Sequence, residues 1–331
     1  MSTSSTNTKL RRVLLVMLAG VVVYGAFAVV KGLDKMKGAL DHYAWITFGA
    51  ACALAFGNYL LRYLKWEFYL ARLNIRGISK VDSFLTFLSG FVLTVTPGKV
   101  GEVFKSVVLF ETHKVPIATT APIVVAERLT DLIGIILLIL VGAGGFAGGL
   151  FWAGAGAGVV TIALVVVSSR RLSLFAISLI EKMPGPFRTI GPKLRLAYES
   201  LAVMVKPRNL LLPTVLSILA WSLECLALWV IVRGFGATAD VRVCFFFYAT
   251  STLAGALVPV PGGLGVTEGI MLKQLEQIGK VDPAAATGSM ILVRFATLWF
   301  AVLVGFAALS ILKRRHPTLL ASQPAVEEAP A

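Results

Sequence analysis

Long runs of apolar residues, separated by short polar or Gly- and Pro-rich breaks, recur along almost the whole chain. About 20 apolar residues are enough for one helix to cross the hydrocarbon core of a bilayer. The segments that meet this length are Val13–Val30, Ala44–Leu64, residues 121–142, Leu150–Val167, Leu210–Val232 and Ala284–Leu312. The pattern therefore predicts an all-α polytopic membrane protein with about six full spans.

Two further apolar runs are interrupted by Pro and Gly. Ser83–Phe110 is broken at Thr96–Glu102, and Val243–Val258 ends at Pro259–Gly269. Roughly 12 residues of helix before a break rise only about 18 Å, whereas the hydrocarbon core is about 30 Å thick. Each run is therefore predicted to form a re-entrant helix hairpin that enters and leaves the membrane on one side.

Lys and Arg residues set the predicted orientation. About two thirds of the 31 basic residues fall at the N-terminus, in residues 62–80, 111–120 and 170–209, and at the C-terminus. The positive-inside rule places these segments, and both termini, in the cytoplasm. Within 170–209, Leu172–Ile180 and Leu194–Val205 are predicted to be amphipathic helices on the membrane surface. The two hairpins then enter from opposite faces.

The two breaks resemble each other and predict an internal repeat. The aligned positions are Pro97–Gly101 with Pro261–Gly265, Lys114 with Lys280, and Arg128 with Arg294. The predicted repeats cover about 10–142 and 150–312 of a single membrane domain, residues 1–316, followed by a disordered tail, 317–331. Interrupted helices at matching positions of inverted repeats are typical of a transporter's substrate site.

Composition supports this class. The chain is 57% hydrophobic with a mean hydropathy of +0.84, and only 15% of its residues are charged. Soluble proteins have about 25% charged residues, so a soluble globular enzyme is excluded. The net charge of +14 is mostly explained by topology and suits an anionic inner leaflet. It does not predict nucleic-acid binding, because no aromatic-rich soluble face accompanies it. The three Cys and three His residues lack metal-ligand spacing, so no metal and no cofactor are expected.

The hairpin tips are the candidate substrate site. Backbone N–H groups at the start of a helix attract anions, and glycine lets a phosphate approach the backbone closely. The candidate substrate-binding residues are Pro97, Gly98, Lys99, Gly101, Glu102, Arg128, Asp131, Pro261, Gly262, Gly263, Gly265, Glu268 and Arg294. A packing turn that binds nothing is the alternative explanation of each tip.

Arg128 and Arg294 stand out because an Arg near the bilayer centre costs roughly 2.5–3.5 kcal/mol without a partner. Arg128 has an acid three residues on, Asp131, and another beside it, Glu127. Arg294 has no acid within four residues, so Glu268 or Glu224 must reach it from elsewhere. The arginines either face a ligand or have a structural role. Four acids either carry protons or a coupling cation, or only neutralise the arginines: Glu102, Asp131, Glu224 and Glu268.

Three ordered motifs carry a family resemblance. They are TPGKVGE at Thr96–Glu102, AERLTD at Ala126–Asp131, and PVPGGLGVTEG at Pro259–Gly269. Together, over about residues 10–312, the chain resembles the flippase-like membrane domain of bacterial lysylphosphatidylglycerol synthases. It also resembles stand-alone relatives of that domain, some associated with hopanoid or glycolipid pathways. The resemblance implies a multi-pass protein of the bacterial inner membrane that moves a lipid between leaflets.

The expected function is therefore a flippase for a lipid with an anionic or phosphate-bearing headgroup, and not an enzyme. The full synthases carry a soluble aminoacyl-transferase domain, whereas here only His316–Ala331 follows, so aminoacyl transfer is not expected. Two alternatives stay open. One is a membrane enzyme or accessory subunit acting on a lipid headgroup, with Glu102 or Glu268 as acid or base. The other is a small-anion transporter. The sequence leaves the oligomeric state undecided.

Overall fold

A computed structural model describes residues 38–96, 101–144, 187–258 and 260–319, together with Gly154 and Gly158. Several predictions lie outside these residues. They concern the spans Val13–Val30 and Leu150–Val167, the helix Leu172–Ile180, the tip residues Pro97, Gly98 and Lys99, and residues 320–331 of the tail.

The described residues form helices joined by turns and short loops, without a strand, which confirms the all-α fold class. The α-helices are α1 (Trp45–Arg72), α2 (Lys80–Ser89), α3 (Phe104–His113), α4 (Ile117–Ala143), α5 (Phe187–Met204), α6 (Pro207–Gly234), α7 (Val241–Leu257), α8 (Val266–Gln277), α9 (Pro283–Arg294) and α10 (Phe300–Arg315). A π-helical turn, Phe295–Trp299, joins α9 to α10. By length and composition, α6 and the joined helix Pro283–Arg315 are long and apolar enough to cross a membrane.

The helix α1 corrects one prediction. The sequence suggested a span ending at Leu64, followed by a basic loop over residues 62–80. The helix instead continues to Arg72, and Arg62 and Lys65 are only 5% and 0% exposed. Both side chains are held by carboxylates of other helices. Since buried ion pairs and not loop solvation account for these two charges, counting them with the cytoplasmic loop was wrong.

The two interrupted runs form pairs of short helices on either side of a break. Helix α2 continues as a 3₁₀ turn, Gly90–Leu93, and packs against α3, which follows the break. Helices α7 and α8 flank the 3₁₀ turn Pro261–Gly263 and also pack together. Helices α2 and α3 have 10 residues each, about 15 Å of rise, so neither is long enough to cross a bilayer.

Helix ends in the two halves of the chain are built alike. Helices α1 and α6 both have 28 residues, and the residue after each, Leu73 and Phe235, has φ −87° and ψ 6°. The next residues, Asn74 and Gly236, are left-handed, with φ of 56° and 77°. Both ends close with the 6→1 hydrogen bond of a Schellman motif: Ile75 N donates to Leu70 O at 3.0 Å, and Ala237 N to Val232 O at 3.3 Å.

The helices that follow α1 and α6, which are α2 and α7, also begin alike. Each has a side-chain N-cap in extended conformation, Ser79 for α2 and Asp240 for α7. After the hairpins, Lys114 and Lys280 are both left-handed, with φ of 59° and 52°. Because a non-glycine residue rarely adopts positive φ, two lysines that do so at aligned positions are an informative match.

Close helix packing depends on small residues. Helix α10 lies so near the 3₁₀ turn that a Cβ added at Gly305 would be 2.7 Å from Val92 N.

An ion pair holds the C-terminal end of α10 to α2. Arg315 Nε donates to Asp82 Oδ1 at 2.8 Å. Burial alone would raise the pKa of Asp82. The hydrogen bonds from Arg315 and Ser79 outweigh this, and the pKa is lowered.

Candidate functional site

A cavity of about 320 Å³ lies between the two helix pairs. Its wall is mostly apolar and includes the aromatic side chains of Tyr59, Phe91, Trp221 and Tyr248. The charged side chains that line it are Arg62, Arg128, Asp131, Glu224 and Arg294. This size and this mixture of an apolar wall with a few polar groups are typical of small-molecule sites.

Arg128 projects from α4 and joins two carboxylates. Its Nη2 lies 3.0 Å from Glu102 Oε2 and 3.0 Å from Asp131 Oδ2. The predicted pair with Asp131 is therefore present, and Glu102 adds a second partner from the first break. Its Nε has no hydrogen-bond acceptor among the described residues. The guanidinium of this cavity-lining residue therefore keeps one buried donor that is not used by the described residues.

Arg62 reaches the same carboxylate from α1. Its Nη2 is 3.2 Å and 3.1 Å from the two oxygens of Glu102, and its guanidinium stands 5.2 Å from the centre of the Phe91 ring. Here too, the part of the chain that the structure describes offers Nε no acceptor. Glu102 thus lies between two guanidinium groups and orients both of them. Neither group has all of its N–H donors in hydrogen bonds to described residues.

Lys65 ties three helices together one turn further along α1. Its Nζ is 2.6 Å from Asp131 Oδ1 in α4 and 2.8 Å from Ser217 Oγ in α6. The Ser217 hydroxyl donates to the same Asp131 oxygen at 2.9 Å. Because the Lys65 side chain is fully buried, its charge serves to hold Asp131 and not to meet solvent.

A second buried pair stands behind the cavity wall. Lys105 Nζ of α3 lies 2.6 Å from Glu127 Oε2 of α4, and both side chains are almost inaccessible. The ammonium is also 4.7 Å from the Trp66 ring centre. Neither charged residue of the pair is part of the cavity lining. The pair therefore fixes the first hairpin against α4.

Arg294 holds the second hairpin. Its Nε is 2.6 Å from Glu268 Oε1, and its Nη2 donates to Gly262 O at 2.9 Å. Of the two acids proposed as partners, Glu268 binds it. The other carboxylate oxygen of Glu268 accepts from Gly265 N at 2.6 Å. The left-handed backbone at Gly262, Gly263 and Gly265 makes this turn possible.

Glu224 lies in the wall contributed by α6. The Tyr248 hydroxyl of α7 donates to Glu224 Oε2 at 2.7 Å. Across the cavity, the Tyr59 hydroxyl donates to Thr297 O at 3.1 Å, inside the π-helical turn. A π turn breaks the regular carbonyl pattern of a helix and is frequent at functional sites.

The structure distributes the predicted site residues over three places. Arg128, Asp131, Gly262, Gly263 and Arg294 line the cavity. Behind that wall, Glu102 and Glu268 bind the arginines. The break residues Gly101, Pro261 and Gly265 shape the turns and are not part of the lining, while Pro97, Gly98 and Lys99 lie outside the described residues. Gly101 N donates to Thr96 Oγ1 at 2.6 Å.

Sequence reasoning missed the contribution of α1. The buried residues of its second half are Asn58, Tyr59, Arg62, Lys65, Trp66, Tyr69 and Leu70. They recur at spacings of three and four, which marks one face of a helix. A polar and aromatic stripe of this kind, continuing from an apolar run, was the signal that could have identified Arg62 and Lys65.

A comparison with known proteins identifies the family to which this arrangement of helices, arginines and acids belongs. A family model described as "Lysylphosphatidylglycerol synthase TM region" matches residues 14–305. The chain belongs to this family. It is therefore a membrane protein of the lysylphosphatidylglycerol synthase transmembrane-region family, in agreement with the resemblance carried by the three motifs.

Curated relatives agree over shorter stretches. A UPF0104 membrane protein of Methanothermobacter thermautotrophicus is 29% identical over 112 residues, which are 34% of this chain and 33% of that protein. A second match to a UPF0104 membrane protein of this organism is 30% identical over 92 residues, which are 28% and 27% of the two chains. The chain thus covers a third or less of the curated relatives it matches.

Proposed function

We propose that this protein is a lipid flippase, without catalytic activity, that moves a phosphate-bearing lipid between the leaflets of the bacterial inner membrane. The headgroup crosses through the cavity past Arg128 and Arg294, while the lipid tails stay in the bilayer. The single observation that carries the proposal is the cavity between the two hairpins, lined by arginines from both halves.

The arginine donors support a phosphate. Arg62 and Arg128 each have an Nε–H without an acceptor in the described ranges, and both residues line the cavity. Guanidinium N–H groups form short, strong hydrogen bonds to phosphate oxygens. A phosphate oxygen that reached these buried donors would complete their hydrogen bonding.

The proposal includes an inverted repeat, an arrangement typical of transporters. The ion pairs Glu102–Arg128 and Glu268–Arg294 both join residues 26 positions apart, from a hairpin break to the helix that follows. The matching ends of α1 and α6 and the left-handed lysines point the same way. We propose two copies, about 10–142 and 150–312, each with two spans, a re-entrant hairpin and a further span. Alternating access commonly uses such repeats.

Orientation follows the basic loops. We propose that both termini are cytoplasmic and that the hairpins enter from opposite faces. Removing the buried Arg62 and Lys65 from the cytoplasmic count leaves the excess in residues 170–209 intact. These loop residues also suit anionic lipids of the inner leaflet.

Reconstituted vesicles test the function. Purified protein is placed in liposomes with trace lipids that carry a fluorophore on one acyl chain, and dithionite destroys the dye in the outer leaflet. Lipids with phospholipid and polyprenyl-phosphate headgroups are compared. We expect quenching beyond the outer-leaflet half only with protein present. Folded protein that moves none of these lipids would contradict the proposal, and uptake of a soluble anion instead would favour an anion transporter.

A further inference from the structure

The strongest symmetry in the described residues relates α1 to α6. Their identical ends fix the register, so that Leu73 corresponds to Phe235. In this register Asn58 corresponds to Ala220, and these two residues, 162 positions apart, are joined directly: Asn58 Nδ2 donates to Ala220 O at 2.8 Å. A contact between counterparts is what a two-fold axis between the helices produces. The axis therefore passes close to the start of the cavity wall.

The next positions along both helices face the cavity. One residue on, Tyr59 corresponds to Trp221, and one turn further Arg62 corresponds to Glu224. All four residues line the cavity. The pair Tyr59 and Trp221 is aromatic in both halves. The pair Arg62 and Glu224 has opposite charges in the two halves. At equivalent places beside the axis, one half presents a guanidinium and the other a carboxylate.

The surroundings extend this difference. On the Arg62 side, Arg128 is the neighbour that shares Glu102, and both guanidinium groups retain an Nε donor. On the Glu224 side, the Tyr248 hydroxyl donates to Oε2 at 2.7 Å. The first region is suited to an oxyanion, and the second is suited to a cationic or hydrogen-bond-donating group.

Among the residues that the structure describes, the charges of the ion-pair network and cavity wall also balance. The basic side chains of the ion-pair network and wall are Arg62, Lys65, Lys105, Arg128 and Arg294. The acidic ones are Glu102, Glu127, Asp131, Glu224 and Glu268. This set offers no excess charge to a net anion. A headgroup with separate positive and negative ends can instead use both regions. Its negative end meets the guanidinium groups and its positive end meets the Glu224 carboxylate, so each charge is buried beside one of opposite sign.

We propose that the cavity selects a zwitterionic phospholipid headgroup, one that joins a phosphate to a primary ammonium as in phosphatidylethanolamine. The phosphate binds on the Arg62–Arg128 side and the ammonium on the Glu224–Tyr248 side. This inference rests on the proposed flippase function and narrows its substrate.

The test compares matched lipids in the vesicle assay. The probes are phosphatidylethanolamine, phosphatidylglycerol and N-acetylated phosphatidylethanolamine, all with the same labelled acyl chain. N-acetylation removes the ammonium and keeps the phosphate. The variant is Glu224→Gln, whose amide oxygen still accepts from Tyr248. The matched control is Glu276→Gln in α8, which makes the same change away from the cavity lining.

We expect the wild-type protein and Glu276→Gln to move phosphatidylethanolamine at least about tenfold faster than the other two lipids. Glu224→Gln should reduce this preference about tenfold, a change of about 1.4 kcal/mol in selectivity. Equal or faster movement of phosphatidylglycerol by the wild type would overturn the inference, as would an unchanged preference in Glu224→Gln.

A measurement of bound lipid tests the headgroup site independently of the proposed flippase activity. Native mass spectrometry of detergent-purified protein reports which phospholipid stays bound after exchange with an equal mixture of the three. Preferential retention of phosphatidylethanolamine that is lost in Glu224→Gln supports the headgroup site, even if no lipid crosses the vesicle bilayer. Absence of lipid transfer together with this retention would overturn the flippase function and leave the headgroup site supported. Retention without preference overturns the headgroup site.

Discussion

The buried Lys105–Glu127 pair gives a quantitative prediction about what holds the first hairpin to α4. Substituting Lys105→Met keeps much of the side-chain volume but removes the ammonium 2.6 Å from Glu127 Oε2. The Glu127 side chain is 0% exposed, and its Oε1 has no hydrogen-bond partner among the described residues. The substitution therefore leaves a carboxylate buried next to an apolar group. Breaking a buried pair in this way costs about 3–5 kcal/mol.

The free energy of unfolding is measured in mixed micelles by titration with sodium dodecyl sulfate, with tryptophan fluorescence as the signal. We expect Lys105→Met to lose about 3–5 kcal/mol and the double variant Lys105→Met/Glu127→Gln to recover most of it, because no charge is then stranded. With the single variant Glu127→Gln added, the double-mutant cycle isolates the coupling between the two residues. Lys273→Met, on an exposed position of α8, is the matched control.

Two results would refute this reasoning. If Lys105→Met destabilised the protein no more than Lys273→Met, the pair would contribute nothing to holding the hairpin. If the double variant were as unstable as the single one, the loss would come from packing around the lysine stem and not from an uncompensated carboxylate.

Three further predictions follow from the fold. Gly305→Ala should lose about 1–3 kcal/mol by forcing α10 from the 3₁₀ turn, whereas Gly49→Ala, with open space around it, should lose none in the same titration. The lowered pKa of Asp82 means that its ion pair stabilises the fold above the unfolded value of about 4 and stops doing so as the pH falls through the folded value. The gap in melting temperature between wild type and Asp82→Asn should therefore shrink below about pH 4; a constant gap would contradict this. An impermeant maleimide should label Lys206→Cys only from the cytoplasmic side and Lys273→Cys only from the opposite side. The unsubstituted protein is the control for labelling of the native cysteines. Labelling of both variants from one side would contradict the inverted repeat.

The sequence predicted much of the fold because the signals were local. Apolar runs located α4, α6 and the joined α9–α10 helix to within a few residues, and the Pro- and Gly-rich breaks located the hairpins. The Arg128–Asp131 pair was predictable since three residues along a helix bring side chains together. The Glu268–Arg294 pair was predictable because the intramembrane Arg required an acid from outside its own helix.

The remainder of the site depends on contacts that spacing along the chain does not encode. Lys65 meets Asp131 across 66 positions and Ser217 across 152, and only the packing of α1 against α4 and α6 brings them together. Basic residues after an apolar run are usually loop charges, so Arg62 and Lys65 were counted as such. Glu224 was considered as a partner for Arg294 and as a proton or cation carrier, but its relation to Arg62 appears only once the register of α1 and α6 is known.

The central claim is that a lipid headgroup passes the arginines of the cavity on its way between leaflets. Its most direct test is the rate of leaflet transfer of acyl-labelled phosphatidylethanolamine by vesicles containing Arg128→Ala, Arg294→Ala or the exposed control Arg314→Ala, each confirmed to be folded. We expect transfer to fall at least about tenfold in the first two variants, a rise of about 1.4 kcal/mol or more in the free-energy barrier to transfer, and to be unchanged in the third. Wild-type rates in both Arg128→Ala and Arg294→Ala would contradict the account.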